Sequence, residues 1–134
     1  MPIRLALLLL LLAPLPGLAE DAPPAPATET LAPNAARTIL GRHVFTPANE
    51  DIGLLVDILV DAAGAPTAGI VDVGGFMGVG TRRIAIAWKL LHFALENGET
   101  RIVEDLSHDE AAAAPEFPGP DGPIIVTGHA PLAK

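Results

Sequence analysis

Cysteine is absent from the 134 residues, and basic residues are scarce, with 8 Lys and Arg against 16 Asp and Glu. Without thiols there is no disulfide framework, thiolate metal centre, cysteine nucleophile or lipid-modified cysteine. The net charge of −8 and pI near 4.7 argue against nucleic-acid binding, which needs a positive surface to meet phosphates. Serine occurs once, at Ser107. Its neighbours His108 and Asp109 cannot form a hydrolase relay with it, because consecutive helical side chains point apart. HExxH is also missing, and none of His43, His92, His108 and His129 pairs with another at metal-ligand spacing, so a zinc site would have to be assembled by folding alone. No apolar run reaches the roughly 20 residues of a membrane-spanning helix.

What is present begins with an export signal. Arg4 precedes an apolar run from Leu5 to Ala13, Pro14 and Pro16 break it, and Gly17-Leu18-Ala19 offers small residues at the positions a signal peptidase reads. Residues 1–19 are therefore expected to be a signal peptide cut after Ala19. The mature chain would carry 7 basic and 16 acidic groups, a charge of −9, and would be periplasmic or secreted. The lack of cysteine is compatible with an oxidising compartment.

Proline marks the limits of the folded part. Of the 14 prolines only Pro47, Pro66 and Pro115 fall within residues 37–117. Residues 20–36 hold no large apolar side chain except Leu31, too little burial to offset the entropy of ordering, and read as a disordered linker. Residues 118–134 read as a flexible tail in which Ile124 to Thr127 could form a short strand.

Within 37–117 the apolar period is two. Ile52, Leu54, Val56, Ile58 and Val60 alternate with Gly53, Leu55, Asp57, Leu59 and Asp61, which predicts a strand burying the first set. Asp61 to Gly64 is a turn into a second strand, Thr67 to Val73. An earlier strand is expected at Leu40–Thr46 and another at Arg83–Trp88. Asn97-Gly98, whose residues tolerate the positive φ of a type I′ turn, should join Leu91–Leu95 to Thr100–Leu106. Ser107 to Glu110 has capping-box spacing and opens a short helix that Pro115 ends. About six strands and one helix predict a mainly β fold, a small antiparallel barrel that hides its strand edges.

Three segments, in order, resemble the PRC-barrel family. They are Leu40-Gly41-Arg42-His43-Val44; Gly53 to Asp61 with Gly64; and Gly74-Gly75-Phe76-Met77-Gly78-Val79-Gly80 followed by Ile84-Ala85-Ile86-Ala87-Trp88, which looks like the glycine loop and following strand of exported bacterial members. Ala87 departs from the pattern, since many members carry proline there. The resemblance implies a small β-barrel over residues 37–117 that binds other macromolecules, often as an adaptor and sometimes as a dimer. It supplies no catalytic residues.

Other chemistries are weakly supported. The glycine run lacks the Lys-Ser/Thr ending of a phosphate loop and no helix follows, so no nucleotide or other cofactor is expected. Asp57, Asp61 and Asp72 do not form the close alternating oxygens of a calcium loop; Asp57 and Asp61 are expected on one solvated strand face. Trp88 reads as a core anchor at a strand end. Phe76 and Met77 either fold back over the barrel end or project as a contact. Arg82 and Arg83 form the only basic pair. These four residues are the candidate partner-binding set, with no catalytic or metal residues. The expectation is a non-enzymatic protein–protein interaction or scaffolding module of the bacterial envelope, binding a protein, a membrane complex included, or a second copy of itself. The alternative is a periplasmic protein binding a small molecule or metal in a barrel mouth lined by His43 or His92.

Overall fold

The computed structural model describes residues 13, 16–17, 20–74 and 82–128. The chain divides into two compact units, Met1–Leu31 and Ala32–Lys134. In the first, residues 20–31 are exposed and form neither helix nor strand. The expected cleavage residue Ala19 lies outside the described residues.

The second unit contains β1 (His43–Phe45), β2 (Asp51–Val60), β3 (Pro66–Val73), β4 (Arg82–Ala87), a 3₁₀ turn (Trp88–Leu90), β5 (Leu91–Glu96), β6 (Glu99–Glu104), α1 (His108–Ala113) and β7 (Val126–Thr127). They form one seven-stranded sheet in the order β5-β6-β1-β2-β3-β4-β7. Mainly β is correct, but the all-antiparallel six-stranded barrel needs three corrections. The tail supplies a seventh strand. Two pairings, β1 with β6 and β4 with β7, are parallel, because the chain returns to the sheet through long connections instead of hairpins. Among the described residues β5 and β7 bond to no further strand, so the sheet is a half-barrel with two edges.

The β2–β3 hairpin is the longest pairing, and its side-chain pattern differs from simple alternation. The register shifts between Leu55 and Asp57, which pair with the consecutive residues Val71 and Ile70. Val56 is the extra residue of a bulge, and a bulge switches every later side chain to the other face. Leu55, opposite Val71, is buried in the core before the bulge, and Ile58, opposite Gly69, takes the same side after it. Ile52 is buried through a second shift, where it is the extra residue against Val44 and Phe45 of β1. Val60, expected inside, is 57% exposed at the strand end. Asp61 lies beyond the strand rather than on a face shared with Asp57. Its Oδ1 accepts the Ala63 and Ala65 N–H groups, both at 2.9 Å, and closes the turn. β1 starts later than expected, at His43, because Gly41 at φ 79° turns the chain just before it.

Gly53 is fixed by a close approach. Its φ is 147°, and a Cβ built there would lie 1.9 Å from the Asp72 carbonyl oxygen on β3. At the other hairpin Asn97 and Gly98 take φ 51° and 80°, with Glu96 directly opposite Glu99, as a type I′ turn requires.

Two apolar clusters sandwich the middle of the sheet. The larger gathers Val44, Ile52, Leu55, Val71, Ile84, Ile86, Leu91, Ile102 and Leu106, closed by Ala111 and Ala114 at the helix. The smaller, Ala68, Ile70 and Ala85, packs against Val56, Leu59 and Phe117. β3 and β4 are thus buried on both faces, the second by the segment after α1. That segment bonds to the outer edge of β4 through Phe117 N–H to Arg83 O at 2.7 Å.

Candidate interaction surface

Among the described residues the six-residue edge strand β5 is paired on one side only, to β6. Leu91, Phe93 and Leu95 stand opposite Glu104, Ile102 and Thr100 of β6, so all three share the core-facing side. Their exposure climbs from 5% at Leu91 to 39% at Phe93 and 46% at Leu95, as the strand runs out past the core. Phe93 is partly held by the Trp88 ring, 5.1 Å away between centroids. Trp88 sits in the 3₁₀ turn, packed on the core margin.

The opposite face of the same region is polar. His92 Nε2 lies 2.7 Å from Asp105 Oδ2, and His43 Nδ1 lies 2.7 Å from Asp51 Oδ2. Arg101 stacks 4.1 Å above the Phe45 ring, reaches Glu96 Oε2 at 3.5 Å and donates to Asn49 Oδ1. Both histidines expected at a barrel mouth are therefore exposed and held by separate aspartates. Among the described residues no three His, Cys, Asp or Glu side chains gather as a metal centre.

Of the expected partner-binding residues, Arg82 and Arg83 fall among the described ones. Phe76 and Met77 lie outside the described residues, as does His129. Arg82 is half-buried: Nη1 donates to Ala114 O at 2.7 Å and Nη2 to Ala111 O at 3.1 Å and to Ala112 O. Its guanidinium holds the last carbonyls of α1, where the helix dipole favours positive charge. Arg83 is exposed, across from Asp72 on β3. Ser107 accepts the Glu110 N–H and the Glu110 carboxylate accepts the Ser107 N–H, completing the capping box. This helix start borders a cavity of about 280 Å³ lined in part by Glu50, Asp105, His108 and Glu110.

One buried group was missed by the sequence reading. Glu104 ends β6 fully buried, and neither carboxylate oxygen meets a hydrogen-bond donor among the described residues. Burial, with repulsion from Glu110 and Asp105, raises its pKa from 4.5 to about 8. The available signal was the alternation Ile102, Glu104, Leu106, which places the acid on the core side.

A seven-stranded mixed sheet with one short helix places the described residues in the class of small β domains. Residues 34–106 match the family model of the PRC-barrel domain, more than half of the chain, and the chain belongs to the PRC-barrel family. Comparison with the curated proteins finds no match.

Proposed function

We propose that this chain is an exported, non-enzymatic interaction or scaffolding module of the bacterial envelope that binds a protein partner, with a membrane complex among the classes to test. The observation carrying the binding role is the β5 edge, where Phe93 and Leu95 remain exposed beside backbone that pairs with nothing among the described residues. Such an edge is a template for strand addition. The charged and apolar composition of residues 1–19 supports export. Arg83, with Phe76 and Met77 of the glycine-rich segment 74–80, is the second contact of this reading. Arg82 would serve that contact through the helix it holds.

The test uses the full chain expressed in a two-membrane bacterium. The periplasmic product should start at Glu20 by intact mass. A photo-crosslinking residue at Leu95 should give one discrete protein adduct that the same probe at Ala63, in the β2–β3 turn, does not. An uncut chain would overturn export, and identical adducts at both positions would overturn the edge as the contact.

A further inference from the structure

We infer that β5 pairs with β5 of a second copy, antiparallel and with Ala94 opposite Ala94, to give a two-fold dimer whose sheets run continuously across the seam. This rests on the reading of β5 as the contact edge and names the partner of that edge.

Backbone direction comes first. In a two-residue hairpin the residues flanking the turn exchange both hydrogen bonds, so Glu96, and alternately Ala94 and His92, aim their backbone groups at β6. The bond from Asp105 N–H to Leu90 O continues the same alternation. Phe93 and Leu95 consequently aim their N–H and C=O groups outward, where no partner occurs among the described residues.

Of the usual guards the edge carries only a charge on its polar face, Glu96. β5 runs for six residues in unbroken register with β6, without proline or bulge, and its core-facing side carries no charge. Edges kept single are normally broken by one of these devices.

Self-complementarity then fixes the register. With Ala94 on the two-fold axis, Phe93 faces Leu95 of the second copy as a hydrogen-bonded pair, using the outward groups of both. The exposed apolar side chains cover one another on the core-facing side. On the other face His92 meets Glu96 of the second copy. Because His92 already contacts Asp105 and Glu96 contacts Arg101, the seam reads acid, base, acid, base across the two copies. Shifting the axis to Phe93 would set His92 against Ala94 and Glu96 against Leu90, and the charge ladder would be lost. Pairing β5 with β7 offers only two residues and generates an open chain of copies instead of a closed dimer.

The absence of native cysteine makes the test direct. In the inferred register Ala94 is a non-hydrogen-bonded pair with its own copy, about 4.5 Å between Cα atoms, inside the disulfide range. Phe93 and its copy would be diagonal neighbours, about 7–8 Å apart. Single variants Ala94→Cys, Phe93→Cys and Ala63→Cys of the full-length gene product, purified from the expressing cell, would be incubated in a thiol–disulfide buffer at physiological salt, which screens the repulsion between acidic copies. Ala94→Cys should form covalent dimer at least about tenfold faster than the other two, through its high local concentration at the seam. Sedimentation of the unsubstituted chain should show a concentration-dependent dimer that Leu95→Lys abolishes.

Faster cross-linking of Phe93→Cys, equal rates in all three variants, or assemblies larger than a dimer would overturn the inference. If Ala94→Cys fails while the Leu95 probe captures a different protein, the second copy is wrong and the contact edge stands. If both fail, the edge reading falls as well.

Discussion

Glu104 stands directly opposite Leu91 across the β5–β6 pair, and both side chains are sealed inside the core. An acid occupies a position whose strand neighbours Ile102 and Leu106 are aliphatic, with Glu110 and Asp105 adding negative charge nearby. The cost of ionising it there makes the fold's stability depend on pH.

The sign follows from proton counting. Below about pH 4.5 the carboxyl is protonated in both folded and unfolded chains and contributes no pH dependence. Between 4.5 and about 8 the unfolded chain has released the proton and the folded chain has kept it, so stability falls as pH rises. The limiting slope is about 1.4 kcal/mol per pH unit, and it levels off once the folded form ionises as well. Urea unfolding at intervals from pH 4 to pH 9 should show this fall, and Glu104→Gln should remove most of it. Glu104→Leu should be more stable than the unsubstituted chain at the alkaline end. Parallel curves for the unsubstituted chain and Glu104→Gln would show that the carboxyl ionises freely in the folded state.

Gly53 tests the packing of β2 on β3. A methyl group at this position has nowhere to go, since the Asp72 carbonyl lies 1.9 Å from the Cβ site and φ is 147°. Gly53→Ala should cost about 3 kcal/mol or more, enough to leave much of so small a domain unfolded. Gly64 is the contrast. It has φ 83° and open space around the Cβ site, so Gly64→Ala should cost only about 1–2 kcal/mol, the left-handed strain alone. Equal midpoints for the two variants in denaturant would contradict the close approach.

The two neighbouring arginines should behave differently. Arg82→Met removes charged hydrogen bonds to the carbonyls of Ala111, Ala112 and Ala114, a loss of about 1.5–3 kcal/mol. Arg83→Ala, at an exposed position, should change stability by less than about 0.5 kcal/mol. Thermal melts of the two variants decide this. A reduced partner affinity in Arg83→Ala with an unchanged melt would assign that arginine to the contact.

These differences show which features were legible in the sequence. Asn97-Gly98 and the Ser107–Glu110 box are local: each is defined by residues within a few positions, so turn and cap chemistry identified both. The β2 bulge is set by what Val71 and Ile70 require across the strand pair, and alternation within β2 alone put the fully buried Leu55 on the outer face. Arg82 looked like a free surface cation because its partners lie about 30 residues further along the chain. Likewise β5 could be recognised as a hairpin strand but not as an edge. Edge position follows from β6 pairing in parallel with β1, a contact between residues nearly 60 apart in sequence. Glu104 was visible in the Ile102–Leu106 alternation, but a carboxylate ordinarily argues for solvent.

The segment after α1 supplies the last prediction. A domain ending at residue 117 was expected from proline density, yet Val126 and Thr127 pair with Ala85 and Ile86 on the outer edge of β4. Phe117 itself covers the small cluster of Ala68, Ile70 and Ala85. Truncation after Phe117 should therefore expose the β4 edge and lower stability by about 1 kcal/mol, read as a fall of about 4–8 °C in Tm for a domain of this size. Phe117→Ala in the full chain should cost more, about 2–3 kcal/mol, because it uncovers two strands otherwise buried on both faces. The truncated chain should also form assemblies larger than a dimer, which the full chain lacks, since an open β4 edge then adds to the β5 contact. Calorimetry and light scattering on the three proteins separate these effects. An unchanged Tm after truncation would restore residue 117 as the limit of the folded domain.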